Sequence, residues 1–244
     1  MLRNITPLIQ PNIFNDEENK PVNDSAWYAF QVVANEPKTI TVTLTYEGGH
    51  HRYEPKTSSD GVNWAPLKTF TEDRKANEAI LKLDVGPKPL TVAGQEMVGV
   101  AELNSWMTEL AQKSFAKKSV VGKSMLNQPI SELELGESKE PNYVFIIGRQ
   151  HPPEVTGSIA LTNFTETLVG DTPLAKEFRQ HFRTIVIPLM NPDGVSEGHW
   201  RHNMNGVDLN RDWKNFLQPE TRAVRDYFVK LSKQKNARVF LLLD

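Results

Sequence analysis

Residues 143–158 read YVFIIGRQHPPEVTGS. The run YVFIIG is apolar and rich in β-branched and aromatic residues, and it stops at Gly148. That is a strand covered on both faces rather than a half-solvated one. Pro152 and Pro153 bar a helix across the next few residues, because proline lacks the N–H and restricts its predecessor. Helical spacing resumes from Glu154 to Leu168. His151 therefore stands at the C-terminal tip of a buried strand and Glu154 on the first turn of the helix that follows. Open α/β sheets bind their ligands at that end. An imidazole nitrogen and a carboxylate are both ligands for zinc, and the prolines reduce the entropy lost when a metal is bound. The same residues have a plainer reading, a loop histidine and a glutamate favoured by the helix dipole. For an isolated H-x-x-E the plainer reading is the commoner one.

Working outward, TIVIPL (184–189) and RVFLLL (238–243) are further apolar strands, and helical stretches lie near 173–182 and 219–235. ISELEL (130–135) precedes the central strand. The segment 102–118 carries Leu103, Trp106, Met107, Leu110 and Phe115 at helical spacing and is read as one helix, with Lys113, Lys117 and Lys118 on its solvated face. Before residue 100 the texture differs. KTITVTLTY (38–46) alternates apolar residues against threonines, WYAFQVV (27–33) and AILKLDV (79–85) are strands, and SSDG (58–61) is a turn. Short strands at this spacing predict an antiparallel β-sandwich, with Trp27, Tyr28, Phe30 and Trp64 in its core. The fold class is thus α/β: a β-sandwich over 1–100, then an α/β domain over 101–244 with a mixed, mostly parallel sheet.

The 244 residues are 39% hydrophobic with a net charge of −2, which provides for a core and argues against a nucleic-acid binder. With no cysteine, disulfides and thiolate metal sites are excluded. No stretch is long enough to span a membrane. The first 20 residues lack the apolar segment of a signal peptide, which favours the cytoplasm, with periplasm or secretion open if a leader was trimmed. Oligomeric state is not legible.

A second constellation follows the strand TIVIPL. Residues 190–213 read MNPDGVSEGHWRHNMNGVDLNRDW. NPDG is a turn signal. Asn210 beside Arg211 offers an amide and a planar fork to a carboxylate, and the separate Arg201 is placed to polarise a carbonyl. A polar surface loop with ion-paired arginines is the alternative.

Together these stretches resemble the zinc metallocarboxypeptidases of the M14 family. HPPE matches the family's H-x-x-E, NPDG its turn, GVDLNRDW its Asn-Arg substrate clamp, QPET (218–221) the opening of the next helix, and SVVGKSMLNQPI (119–130) an early stretch of the domain. The order and the strand–loop–helix settings match too, over about residues 100–244. The preceding strand-rich domain, the HPPE wording and the short run from Arg201 to Asn210 resemble the cytosolic carboxypeptidase-like branch.

The resemblance implies one zinc held by His151 and Glu154. It gives Arg201 to the oxyanion, and Asn210 and Arg211 to the C-terminal carboxylate of a peptide or protein substrate. Zinc-bound water would have a pKa near 7 or somewhat above. The branch hints at acidic C-terminal residues. Pro153 stands where pancreatic-type members carry an arginine, so one substrate contact is missing. By the same resemblance a third ligand, a histidine, falls due just after Asp244, with the general-base glutamate and a tyrosine later. The expectation is an N-terminal part of the enzyme, which as given binds zinc poorly. His50, His51, His181, His199 and His202 are not expected to replace the missing ligand. Two alternatives stay open: a related zinc amide hydrolase of the murein peptide amidase type, and a non-catalytic protein that grips C-termini.

Overall fold

A computed structural model describes residues 2–7, 25–47 and 49–244. Most of the segment on which the leader was judged lies outside them. The described residues fall into two compact units: 2–7 and 25–97 with Glu197–Trp200, and 98–196 with Arg201–Asp244.

The first unit holds β1 (Leu2–Pro7), β2 (Ala29–Ala34), β3 (Lys38–Thr45), β4 (Lys56–Ser58), β5 (Ala65–Pro66), β6 (Phe70–Asp73), β7 (Glu78–Val85) and β8 (Leu90–Ala93). They form two antiparallel sheets, β1-β2-β8-β4-β5 and β3-β7-β6. In β3 the burial alternates residue by residue: Ile40, Val42 and Leu44 turn inward and the threonines outward. Those three pack with Leu81 and Leu83 of β7 and with Phe30 and Val32 of β2, so one core is shared by both sheets. This is the predicted sandwich, generated by a period of two. Trp27, Ala29, Ala93 and Trp200 make a second cluster within this unit, with Trp64 partly buried against it.

The second unit holds α1 (Val100–Leu110), β9 (Ala116–Lys123), β10 (Pro129–Leu135), β11 (Asn142–Ile147), α2 (Val155–Val169), α3 (Pro173–His181), β12 (Arg183–Ile187), the short α4 (Pro192–Ser196), a 3₁₀ turn (Leu209–Arg211), α5 (Pro219–Ser232) and β13 (Arg238–Leu243). The sheet order is β13-β11-β12-β10-β9. β11 is parallel to β12 and β13, while β10 runs antiparallel to β12 and β9. Along β11 alternate residues serve opposite faces. Tyr143, Phe145 and Ile147 pack with Ile185, Ile187, Val224 and Leu231, and Val144 and Ile146 pack with Met107, Leu133, Leu161 and Val186. That is why the sequence is apolar throughout. β13 differs: all six of its residues are exposed.

The helix expected over 102–118 ends at Leu110. Residues 116–118 belong to β9 instead, with Lys117 opposite Glu134 and Lys118 opposite Leu133. Pairing with β10 and an opposite-charge cross-strand neighbour outweigh a helical period that Phe115 alone extended. Lys118 does not face solvent on a helix; its ammonium donates to Thr108 Oγ1 at 2.8 Å and to the Asn104 carbonyl at 3.2 Å, tying β9 to α1.

Glu132 of β10 is 1% exposed. Its Oε1 accepts from Ser119 Oγ at 2.6 Å, and the Tyr227 hydroxyl also hydrogen-bonds the carboxylate. Burial pushes its pKa up, only partly opposed by the hydrogen bonds from Ser119 and Tyr227. The native state then holds this proton to higher pH than the unfolded chain does. Stability from this group is present below the unfolded pKa and falls as pH rises through the folded one. Glu132→Gln should therefore flatten the pH dependence of stability above the ordinary glutamate pKa of about 4.3. Urea unfolding of the two proteins across that range checks this, and parallel curves would refute it.

Candidate active site

The chain leaves β11 still paired with the segment after β12. Gly148 N donates to Ile187 O at 3.0 Å, Met190 N to Gly148 O at 3.0 Å and Asn191 N to Arg149 O at 3.2 Å. His151 is thus delivered, buried, to the C-terminal end of the parallel strands. The turn closes with Glu154 N on His151 O at 3.2 Å and Val155 N on Pro153 O at 2.8 Å. Glu154 is the residue that caps α2, and its half-exposed carboxylate folds back over the turn. Oε1 lies 2.6 Å from His151 Nδ1 and Oε2 accepts from His151 N at 3.3 Å.

The other imidazole nitrogen, Nε2, lies 2.9 Å from Oδ1 of Asp208, which is 2% exposed. Asp208 Oδ2 accepts from Arg201 Nε at 2.6 Å, and Oδ1 also accepts from Asn210 N at 2.9 Å. One carboxylate therefore orients the histidine, fixes the arginine and starts the 3₁₀ turn. Sequence reasoning passed over Asp208. Its signal was present in VDLNR, a carboxylate two residues before Asn210, where an Asx-type bond to the backbone is common.

Burial alone would lower the His151 pKa, but its hydrogen bonds to Asp208 and Glu154 prevail and raise it to about 9. Burial would raise that of Asp208, yet its bonds to His151 and Arg201 hold it well below the usual carboxylate range. Without an ion, the site is an imidazolium between two carboxylates. A metal ion would take the place of the proton that Nδ1 shares with Glu154. An imidazole nitrogen and a carboxylate oxygen facing each other, with the second nitrogen anchored on a carboxylate, fit two positions of a zinc shell and its outer support. Among the described residues no group of three His, Cys, Asp or Glu is arranged to hold an ion. His199 and His202 are both buried in the neighbouring loop and belong to no such group. His51 bonds Tyr46 and His181 bonds the Glu177 carbonyl through Nδ1, while Nδ1 of His50 lies 3.3 Å from Asn77.

The 3₁₀ turn presents Asn210 and Arg211 outward, both exposed, while Leu209 between them and Asp208 is fully buried. Among the described residues no carboxylate pairs with Arg211, unlike Arg201. Buried Asp212 holds the far side of the turn, accepting from Leu217 N and Gln218 N at 2.8 Å each and from the Thr221 hydroxyl. Trp213 Nε1 donates to Gln150 Oε1 at 2.7 Å, which ties this turn to the residue before His151. NPDG forms α4 rather than a bare turn. Asn191 Nδ2 donates to Gln150 O and His202 O at 3.1 Å, and Asp193 accepts from Ser124, Leu126 and Gln128. Gly194 is required by that approach, because a Cβ there would come within 2.6 Å of the Asn191 side chain.

The model of the zinc carboxypeptidase family, Peptidase_M14, matches residues 103–243. The chain belongs to that family. Among curated relatives, mouse cytosolic carboxypeptidase 6 is 31% identical over 113 residues, covering 45% of this chain and 21% of that protein. An uncharacterised Zymomonas mobilis protein is 26% identical over 216 residues, covering 84% of this chain and 55% of its own. The chain thus spans about half, or less, of the length of these relatives. The fold is shared with a metallo-carboxypeptidase from Pseudomonas aeruginosa (TM-score 0.78, 19% identity, 100% of this chain and 68% of that one). A carboxypeptidase-like structure from Burkholderia mallei is equally similar (TM-score 0.79, 21%, 99% and 67%). No helix among the described residues is long and apolar enough to cross a membrane.

Replacing Asp208 with alanine strands a buried imidazole and a partly buried guanidinium together. The expected loss is about 3 kcal/mol of folding stability, read by urea unfolding near neutral pH. A loss under about 1 kcal/mol would mean that the carboxylate is not the hub of the site.

Proposed function

We propose that this chain carries the sandwich domain (1–100) and the leading part (101–244) of the catalytic domain of a zinc metallocarboxypeptidase. In this reading the protein removes the C-terminal residue of peptides or proteins in the cytoplasm. The observation that carries the reading is the His151–Glu154 pair at the end of β11, its second nitrogen anchored on Asp208. His151 and Glu154 would hold the ion. When bound, zinc supplies Lewis acidity and lowers the pKa of water toward about 7.

The chain's own residues supply the rest. Arg211 and Asn210, exposed on one rigid turn, bind the terminal carboxylate through a charge-assisted fork. Arg201 holds the developing oxyanion. Its Nε is engaged by Asp208, which aims the guanidinium while leaving its terminal nitrogens for substrate. The third ligand and the general base would come from residues that follow β13. Asp244 Oδ2 lies 2.5 Å from Gln150 Nε2, so whatever follows emerges beside the residue that precedes His151. Acidic C-terminal residues, which the resemblance to the cytosolic branch implies, are the proposed substrates. A non-catalytic protein that grips C-termini through Asn210 and Arg211 is the second reading.

Two measurements on the longest naturally encoded form test this. His151→Ala should abolish stoichiometric zinc, and unchanged zinc by elemental analysis would remove the metal assignment. With a free-acid peptide assayed beside its C-terminal amide, Arg211→Ala should raise KM and erase the preference for the acid. Arg201→Ala should keep that preference while lowering kcat by about 10²–10³-fold. If Arg211→Ala still rejects the amide as its parent does, the carboxylate is held elsewhere. Zinc-free protein that binds free-acid peptides without cleaving them would favour the second reading.

A further inference from the structure

The residue two before His151 has no role in the family resemblance and an unusual setting. Arg149 is 3% exposed, and its backbone lies in the left-handed region at φ 58°. A non-glycine residue there is strained, and such residues persist where the surroundings over-determine them. Its side chain turns back along its own loop. Nε donates to the Pro152 carbonyl at 2.7 Å, and an Nη donates to Ser158 Oγ at 3.0 Å. Among the described residues no carboxylate lies within ion-pair distance of it; the nearest charge that acts on it is that of Glu154.

A bookkeeping of the loop's carbonyls explains why a cation is buried there. Pro152 and Pro153 bring no N–H, so the segment is short of donors. His151 O is met by Glu154 N, Pro153 O by Val155 N and Glu154 O by Ser158 N. Among the described residues Pro152 O receives no backbone N–H, and Arg149 Nε fills that position. The guanidinium thus spans the loop from inside, touching it between His151 and Glu154 and again on the first turn of α2. An apolar side chain of the same size would fill the space without desolvating a charge, but it would leave Pro152 O unmatched.

We infer that Arg149 is a positioning residue that presets the spacing of His151 and Glu154 through its bonds to Pro152 O and Ser158 Oγ. Its consequence for metal rests on the reading of His151 and Glu154 as zinc ligands; its consequence for the loop does not.

The test uses the 244-residue chain and three variants, Arg149→Met, Arg149→Lys and Arg149→Gly, with amide hydrogen exchange as the first readout. In Arg149→Met, exchange at Glu154, Val155 and Ser158 should quicken by about 5- to 100-fold relative to the β11 amides of Phe145–Ile147. Arg149→Lys, which keeps a donor, should recover part of the protection, and it serves in place of Met if that variant does not fold. Arg149→Gly relieves the left-handed backbone but removes the guanidinium, so it should behave like Met. Exchange that is unchanged, or that quickens equally in the loop and in β11, would overturn the inference, as would a Gly variant as protected as the parent. The second readout, made on the longest naturally encoded form and its Arg149 variants, is zinc alone, titrated against a chromophoric chelator. Affinity should fall by about 10–100-fold in Arg149→Met. Equal affinities would overturn the inference. A parent that takes up no zinc would instead count against the ligand assignment, with the exchange result still deciding the role of Arg149.

Discussion

The C-terminal end of the parallel strands depends on one carboxylate. Asp208 uses both oxygens at once, Oδ1 on the imidazole of His151 and Oδ2 on the guanidinium of Arg201. His151 comes from the loop after β11, and Arg201 and Asp208 from the segment between α4 and α5, so no secondary-structure ladder would bring the three together. A buried carboxylate with two charged or chargeable partners holds far more strongly than any of the surface pairs here. It also selects which imidazole nitrogen faces Glu154. Remove that charge and the histidine loses its orientation while the arginine is free to swing.

The same device recurs around it. Asp193 gathers the β9–β10 turn, Asp212 gathers the start of α5, and Asn191 joins the ends of the two central strands through Gln150 O and His202 O. Glu220, with no exposed surface, accepts from Met125 N at 3.2 Å and from Asn203 at 3.1 Å; burial raises its pKa, with Asp193 nearby adding to the effect. Loops with little regular structure are thereby held by buried polar side chains whose hydrogen bonds are matched. That is how irregular backbone can present Asn210 and Arg211 in a fixed direction.

The strands and the place of His151 were legible because their signals are local. Period two in 38–46, unbroken apolar runs at 143–148 and 184–189, and two prolines after a glycine each report a backbone state directly. Pairing is not local, and that is where the reading departed from the structure. Residues 116–118 look helical until β10 is there to pair with them, and the sheet has as many antiparallel as parallel neighbours because β9 and β10 join it as a hairpin. Asp208 was overlooked because a lone aspartate carries no period; its importance exists only once His151 and Arg201 have been folded against it. The bond from Arg149 to Pro152 O was hidden in a tripeptide step that sequence reading treated only as a stiff loop.

β13 has a consequence of its own. It adds to β11 from far along the chain, and its side chains are only half covered: Val239, Phe240, Leu241, Leu242 and Leu243 are between 43% and 55% exposed, with Phe240 edge-on to Phe182 at 5.2 Å. Its attachment rests on one ladder of backbone hydrogen bonds and the edge-on contact of Phe240 with Phe182, so among the strands of this sheet it should open at the lowest free energy. Opening would carry Asp244 away from Gln150, whose amide also receives Trp213 and whose carbonyl receives Asn191. The residue beside His151 would then be held on two sides rather than three. Whatever holds β13 in place would steady the His151 loop without touching it. Order in the His151 loop would be a thermodynamic property shared with the strand beside β11.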